Sequence, residues 1–496
     1  MLFVIFKALR RFYVFSLVLV VVIFCGLIFQ SETGLASLDY LSVAIGQPIK
    51  LGGESGYDDQ RDADIYPAIA YNSNEDRYLV VWMTPRNANS SSDGLDIYGK
   101  FLNRNGNPIS DEFRITDNNN AARNSMPAIV AGIGEFVVAW TVRGMTCEIH
   151  LQRISDTTNQ KDQLLSSDGL IRHSPSIVFN PARNRYLLVY VEGNDYLPPT
   201  LFGSETTDCG NDASSTSSIM AVELNLNGGD PILNTPLDIT DVNGGAFRPS
   251  VSYSNALGQY LVAWEDRRNS FNRQYVLDVY AQRLNFDLSI VGSDIPLSTG
   301  VDYTNFDSSA TWTPRPVVVG SESNFLVTWF TRVQLEAAVI WSVEGKLIYK
   351  TNLSSSPFTI MQMPFAQSHS GNSPTGFLSA AYSEAIQGYL VGITSYLESI
   401  WGYLSFSLIQ HISTSGQLYD LNGNVQSKPS VGYSIDYEND DQIGISITAN
   451  SSNSLATADY LVAYSKHAKA LSERDFDIWG VPILLKGNIF LPLVHK

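Results

Sequence analysis

Tyr260-Leu-Val-Ala-Trp264 is one of seven versions of a single pentad in this chain of 496 residues. The others are Tyr78-Leu-Val-Val-Trp82, Phe136-Val-Val-Ala-Trp140, Tyr186-Leu-Leu-Val-Tyr190, Phe325-Leu-Val-Thr-Trp329, Tyr389-Leu-Val-Gly-Ile393 and Tyr460-Leu-Val-Ala-Tyr464. A unit returning about every 50 to 75 residues signals a repeat architecture. Read as a strand, the pentad places Tyr260, Val262 and Trp264 on one face and Leu261 and Ala263 on the other. Both faces are apolar, so both need cover. A blade in a closed ring meets that requirement, because its two neighbours cover it.

Working outward, each pentad is preceded by a second apolar run that usually opens with proline. Examples are Pro67-Ala-Ile-Ala-Tyr71, Pro127-Ala-Ile-Val-Ala131, Pro175-Ser-Ile-Val-Phe179, Pro249-Ser-Val-Ser-Tyr253, Pro316-Val-Val-Val-Gly320 and Pro429-Ser-Val-Gly-Tyr433. Proline at the first residue of a strand costs no ladder hydrogen bond. The sixth copy, Phe377-Leu-Ser-Ala-Ala-Tyr382, lacks it, and its pentad lacks the closing aromatic. Hairpin-length turns such as Asn72 to Arg77 join the two runs. A third strand follows, clearest as Asp96-Ile-Tyr-Gly-Lys-Phe-Leu102 and Asp278-Val-Tyr-Ala-Gln-Arg-Leu284, then a fourth such as Phe113-Arg-Ile-Thr116. Four strands in seven copies predict an all-β fold, a seven-bladed β-propeller of four-stranded antiparallel blades over residues 66–496. Residues 31–65 read as a linker and lead-in strand. The last outer strand has two candidates, Asn488 to Leu493 and Gln47 to Leu51; the latter would close the ring by pairing the two ends of the chain.

These repeats, Pro-x-x-x-Tyr, then Tyr-Leu-Val-x-Trp, then Asp-Ile-Tyr-x-x-Arg-Leu-Asn, resemble the propeller repeats of exported bacterial proteins. The resemblance implies the fold and an extracytoplasmic place, and says little about activity. The chain has no Trp-Asp repeat pattern, no kelch glycine doublet in register and no sialidase-type Ser-x-Asp-x-Gly-x-Thr-Trp box.

Residues 1–30 stand apart. Lys7, Arg10 and Arg11 precede an apolar run from Phe12 to Phe29, near the minimum for a transmembrane helix. The basic flank would stay inside and send the rest outward. The expectation is a membrane-anchored propeller outside the cytoplasm, in the periplasm or at the cell surface, or a secreted one if the segment is a cleaved signal peptide. The net charge is −17, and residues 1–30 hold three of the cations and no acid. An acidic body argues against nucleic acid and anionic lipid. Of three cysteines, Cys25 lies in the apolar run. Cys147 and Cys209 form a plausible disulfide in an oxidising compartment.

On a repeat fold, function sits in what is not repeated. The loops between second and third strands vary most and emerge on one rim. They supply the candidate binding residues: Arg86 in repeat one, Asp195 and Tyr196 in repeat three, and Asp266, Arg267 and Arg268 in repeat four. Guanidinium forks suit a carboxylate or sugar acid; the competing reading is a local turn with Asp–Arg pairing. The six histidines show no metal-ligand spacing, and no cofactor motif or nucleophile elbow is present. The expected function is non-catalytic binding of a protein or glycan partner. The alternatives are a carbohydrate-active hydrolase or lyase working in the central pocket and a structural envelope component.

Overall fold

The computed structural model describes residues 41–487 apart from 54–63, 86–94, 117–122, 144–145, 158–162, 167, 194–208, 210–216, 227–231, 241–244, 270–276, 299–313, 335–338, 351–353, 368–374, 400–401, 415–416, 420–425, 427–432, 436–441, 451–458 and 468–475. The N-terminal segment read as a transmembrane helix lies outside them. Among the described residues no helix is long and apolar enough to cross a membrane.

Seven antiparallel sheets follow one another along the chain. In the fourth blade the strands are Ala246–Ser254, Gln259–Asp266, Asp278–Asn285 and Ile290–Pro296, paired in that order. The first strand of every blade approaches the first strand of the next, and that of the seventh approaches that of the first. These first strands are therefore the inner ones, around a central channel, and the ring is closed.

Closure uses the N-terminus. Leu41–Ile45 and Ile49–Lys50 both pair with Phe476–Gly487, the third strand of the seventh blade, and so complete its outer edge. The chain thus supplies one blade from both of its ends. The alternative candidate, Asn488 to Leu493, lies outside the described residues.

The seventh inner strand differs from the sequence reading. It is Gln442–Ala449, and Tyr433–Ser434 instead pairs with the third strand of the sixth blade. Pro429 to Tyr433 lies too far from Tyr460 for a hairpin. Ile443, Ile445 and Ile447 lie much closer to it, and Ala449 pairs directly with Tyr460.

Seven apolar clusters fill the seven gaps between blades. Tyr260, Val262 and Trp264 pack with Leu187, Val189 and Val191 of the third blade. Leu261 and Ala263 pack with Phe325, Val327 and Trp329 of the fifth. The same division of the pentad recurs around the ring to the last gap, where Leu461 and Ala463 meet Tyr78, Val80 and Trp82. Each such large side chain, fully buried, contributes about 1.5–3 kcal/mol. The inner strands need a further device, because their channel-side edges have no strand partner. Serine hydroxyls on one inner strand accept backbone N–H groups of the next: Ser446 from Ile69, Ser176 from Val251, Ser250 from Val318, Ser252 from Gly320 and Ser379 from Ile447, at 2.9–3.2 Å.

The two ends of the ring carry different connections. One, the hairpin face, holds the turns between first and second strands and between third and fourth. The other, the rim, holds the loops between second and third strands and the crossings between blades.

Candidate functional site

The residue before each inner-strand proline turns back on itself. Tyr66, Met126, Ser174, Arg248 and Arg315 have φ of 55°, 56°, 53°, 46° and 47°. A following proline disfavours the right-handed helical region, and the chain takes the left-handed one at about 1–3 kcal/mol. In the fourth blade, Phe247 pairs with Glu265 and Ser250 with Ala263, so Arg248 and Pro249 together oppose Trp264. That is a β-bulge. The same two-against-one arrangement sets Tyr66–Pro67 against Trp82, Met126–Pro127 against Trp140, and Ser174–Pro175 against Tyr190. In the fifth blade Phe330 N–H bonds Pro314 and Val317 pairs with Thr328, which leaves Arg315–Pro316 opposite Trp329. Gly444, φ 66°, is the seventh blade's version.

The sixth blade explains why its repeat had lost both motifs. With Ile393 in place of the aromatic and no proline, Thr375–Ser383 pairs straight through without a bulge. The proline and the pentad's last aromatic residue are thus two halves of one device. In the five blades that carry the proline it sets one bulged residue at the rim end of the inner strand.

Two of these side chains, Tyr66 and Arg315, meet Phe377 of the sixth blade there. The ring centre of Tyr66 lies 4.7 Å from that of Phe377, and the Arg315 guanidinium carbon lies 4.4 Å from the centre of the Phe377 ring. Blade six therefore touches its neighbour blade five and, across the seventh, whose bulge residue is glycine, blade one. A Cβ on Gly444 would stand 3.1 Å from Pro67 Cδ and 3.2 Å from Tyr66 Cα. On the other side of Arg315, buried Glu265 joins two blades: its Oε2 accepts from Arg248 Nη1 at 3.0 Å and its Oε1 from the Arg315 backbone N–H at 2.7 Å. Ser174 Oγ reaches Met126 Sδ at 3.7 Å. The mouth thus presents two half-buried guanidinium groups beside an aromatic pair. In the fifth and sixth blades the second and third strands run on past it, pairing as far as Gln334 with Val339 and Ser399 with Gly402. Where a variable loop was expected, these two blades raise the rim with strand.

The residues singled out from sequence fare differently. Asp266 is buried and fully engaged. Its Oδ2 accepts from Trp264 Nε1 at 2.8 Å and from Arg268 Nη2 at 2.7 Å; its Oδ1 accepts from the Arg268 N–H at 2.8 Å and from Arg268 Nε at 2.9 Å. Arg268 also bonds Asp294 at 2.5 Å and lies 3.8 Å over the Tyr280 ring. This pair is a local clamp on the pentad tryptophan, consistent with the competing turn reading. Arg267 donates its N–H to Gly245 O at 3.0 Å. Arg86, Asp195 and Tyr196 lie outside the described residues. Cys147 and Cys209 are joined, with Cα atoms 5.4 Å apart, and link the third strand of blade two to the long connection of blade three.

The acids that open third strands turn to local partners. Asp96 accepts from Arg114 and Thr116, Asp278 from Asn269, and Asp477 pairs with Lys50. Among the described residues no group of three or more His, Cys, Asp or Glu could hold a metal. A second hollow, about 150 Å³ between blades two and three on the hairpin face, is lined by Glu135, Arg153 and Tyr186. There Tyr186 and Arg153 occupy both Glu135 oxygens.

Sequence reasoning missed Arg248, Arg315, Tyr66 and Phe377. A signal existed: four of the six prolines quoted as strand openers follow Tyr, Met or Arg.

No protein-family model matches the sequence, and no curated protein matches it. Solved structures of similar course include a neuraminidase-like protein from A/bat/Guatemala/164/2009, at 8% identity and TM-score 0.41 over 92% of this chain and 97% of that one. The NanB sialidase of Streptococcus pneumoniae aligns at 10% identity and TM-score 0.40, over 88% and 70%. Trypanosoma rangeli sialidase aligns at 8% identity and TM-score 0.38, over 85% and 55%. At these values no residue of theirs is carried onto this chain.

Proposed function

We propose that this chain is a membrane-tethered propeller of the exported bacterial repeat kind, and that its channel mouth binds a carboxylate-bearing glycan without turning it over. The observation that carries the reading is the placement of Arg248 and Arg315 on adjacent blades about Glu265, next to the Tyr66–Phe377 pair. Glu265 offsets the charge of Arg248, so the two guanidinium groups together leave a net positive charge in a chain of net charge −17, which favours an anion there. Guanidinium groups supply paired donors to a carboxylate, and aromatic faces stack on a sugar ring. Canonical glycoside hydrolysis needs two carboxylates about 5–9.5 Å apart with room for substrate between them. Glu265, a carboxylate at the mouth, has both oxygens engaged.

The test is calorimetry of the full chain with an oligouronate and with a neutral glycan of equal length, followed by analysis of the saccharide. The expected result is binding of the acidic glycan only, recovered intact. Arg248→Gln and Arg315→Gln should each weaken it about tenfold or more, the scale of a lost charge-assisted hydrogen bond. Equal binding of both glycans sinks the reading. Shortened saccharide would replace it with the hydrolase or lyase alternative, and no binding at all would leave the structural-component reading.

A further inference from the structure

Among the described residues, the hairpin face and the rim differ in what they expose. Among the described residues six large apolar side chains are exposed, and five of them project from the hairpin face. They are Ile109 of blade one (55% exposed), Ile133 of blade two (57%), Leu233 of blade three, and Phe286 (53%) and Ile290 of blade four. The placement follows from register: Ile109 bonds back to Phe101, Leu233 to Glu223, and Ile290 pairs with Leu284, all at the hairpin end of third strands. Ile133 occupies the turn that closes with Gly132 N–H on Glu135 O. The sixth, Leu170, precedes Arg172, which pairs with Glu192 at the rim. Single exposed apolar residues are ordinary. Four successive blades carrying them on the same face are not.

The chain also arrives on this face. Tyr460 pairs with Ile483 at the hairpin end of blade seven, and Leu41 pairs with Gly487, further out on that side. From Leu41 the strand runs toward the rim, where Lys50 pairs with Trp479. Blade seven adjoins blade one. The apolar run ends at Phe29, and the 11 residues between it and Leu41 can reach at most about 40 Å.

We infer that the hairpin face rests on the lipid bilayer that holds the N-terminal segment. Ile109, Ile133, Leu233, Phe286 and Ile290 dip into its interfacial layer, and the channel mouth points away from the membrane. The contact is apolar rather than electrostatic, since an acidic chain gains nothing from anionic lipid. The inference requires a retained N-terminal segment and is independent of what the mouth binds.

The experiment uses the full chain reconstituted in phosphatidylcholine vesicles. A bimane is attached at Ile133→Cys, Phe286→Cys or Leu170→Cys, each combined with Cys25→Ser, the disulfide leaving no other thiol. All three sites are exposed, so the substitutions spare the core. Brominated phosphatidylcholine should quench the probes at 133 and 286 at least twofold more than the probe at 170. Equal quenching at all three, or none in vesicles that carry the protein on flotation, overturns the inference. So does a chain that fails to float with the vesicles. Energy transfer between copies labelled at 133 in lipid-free detergent also overturns it, by assigning the face to a second copy of the chain.

Discussion

The hydroxyl of Tyr260 accepts a 2.7 Å hydrogen bond from Nδ2 of Asn180, across the gap between the third and fourth blades. Asn180 ends the third blade's inner strand, so the pentad's first residue ties down the hairpin of the blade before it. Tyr186 does the same to Glu135 at 2.6 Å, Tyr389 to Asn324 at 2.7 Å, and Tyr460 to Gly388 O at 2.8 Å. Burial pushes the Tyr260 hydroxyl up to about 12, so it stays protonated through the physiological range. Tyr260→Phe should cost about 1–3 kcal/mol in urea unfolding with an unchanged m-value, because Asn180 is left with a buried unsatisfied donor.

Trp264→Ala removes a fully buried side chain and should cost about 3–5 kcal/mol. Asp266→Ala strands the buried Trp264 N–H and leaves the Arg268 guanidinium with Asp294 alone, and should cost about 1–3 kcal/mol. Neither variant should alter glycan affinity once folded. A selective loss of binding by Asp266→Ala at unchanged melting temperature would return that residue to the ligand site.

Gly444→Ala tests the mouth through its backbone. The residue stands at φ 66° and its Cβ would press on the Tyr66 backbone. The expected outcome is a loss of about 1–2 kcal/mol, from left-handed strain alone, with weaker glycan binding as Tyr66 is displaced. Calorimetric melting and titration on the same sample read both effects.

The Cys147–Cys209 link closes a loop of 62 residues. The double serine variant should lose about 2–4 kcal/mol. Free-thiol titration of denatured protein, with and without reductant, should differ by two thiols per chain.

His411 sets a pH dependence. Burial lowers its pKa from 6.5 to about 4. The folded state therefore keeps it neutral where the unfolded chain takes up a proton. The stability it allows is complete above about 6.5 and falls as pH drops toward 4, by up to about 3 kcal/mol. His411→Gln should flatten the stability profile over that window, measured by urea midpoints from pH 7 to pH 4.

Blade number, strand order and the buried pentad were legible because packing in a propeller is local and periodic, so each repeat states the same apolar alternation. The seventh inner strand was misread at Pro429 because proline is only one way to make the bulge. Gly444 makes it in that blade with no proline at all. The clamp of Asp266 and Arg268 was visible as a pair two residues apart, yet its neighbours Trp264 and Tyr280, which decide that it is structural, belong to two different strands.

By itself, the sequence determined that this chain is a ring of seven four-stranded blades, since strands apolar on both faces have nowhere else to go. Only the tertiary structure decided how the ring closes and which residues meet at its centre. Leu41 joins Gly487, and Tyr66, Arg315 and Phe377 converge although they are some 60 to 310 positions apart. The reason is physical: repetition encodes the packing of each blade on its neighbour, whereas contacts at the channel mouth join side chains that no local pattern relates.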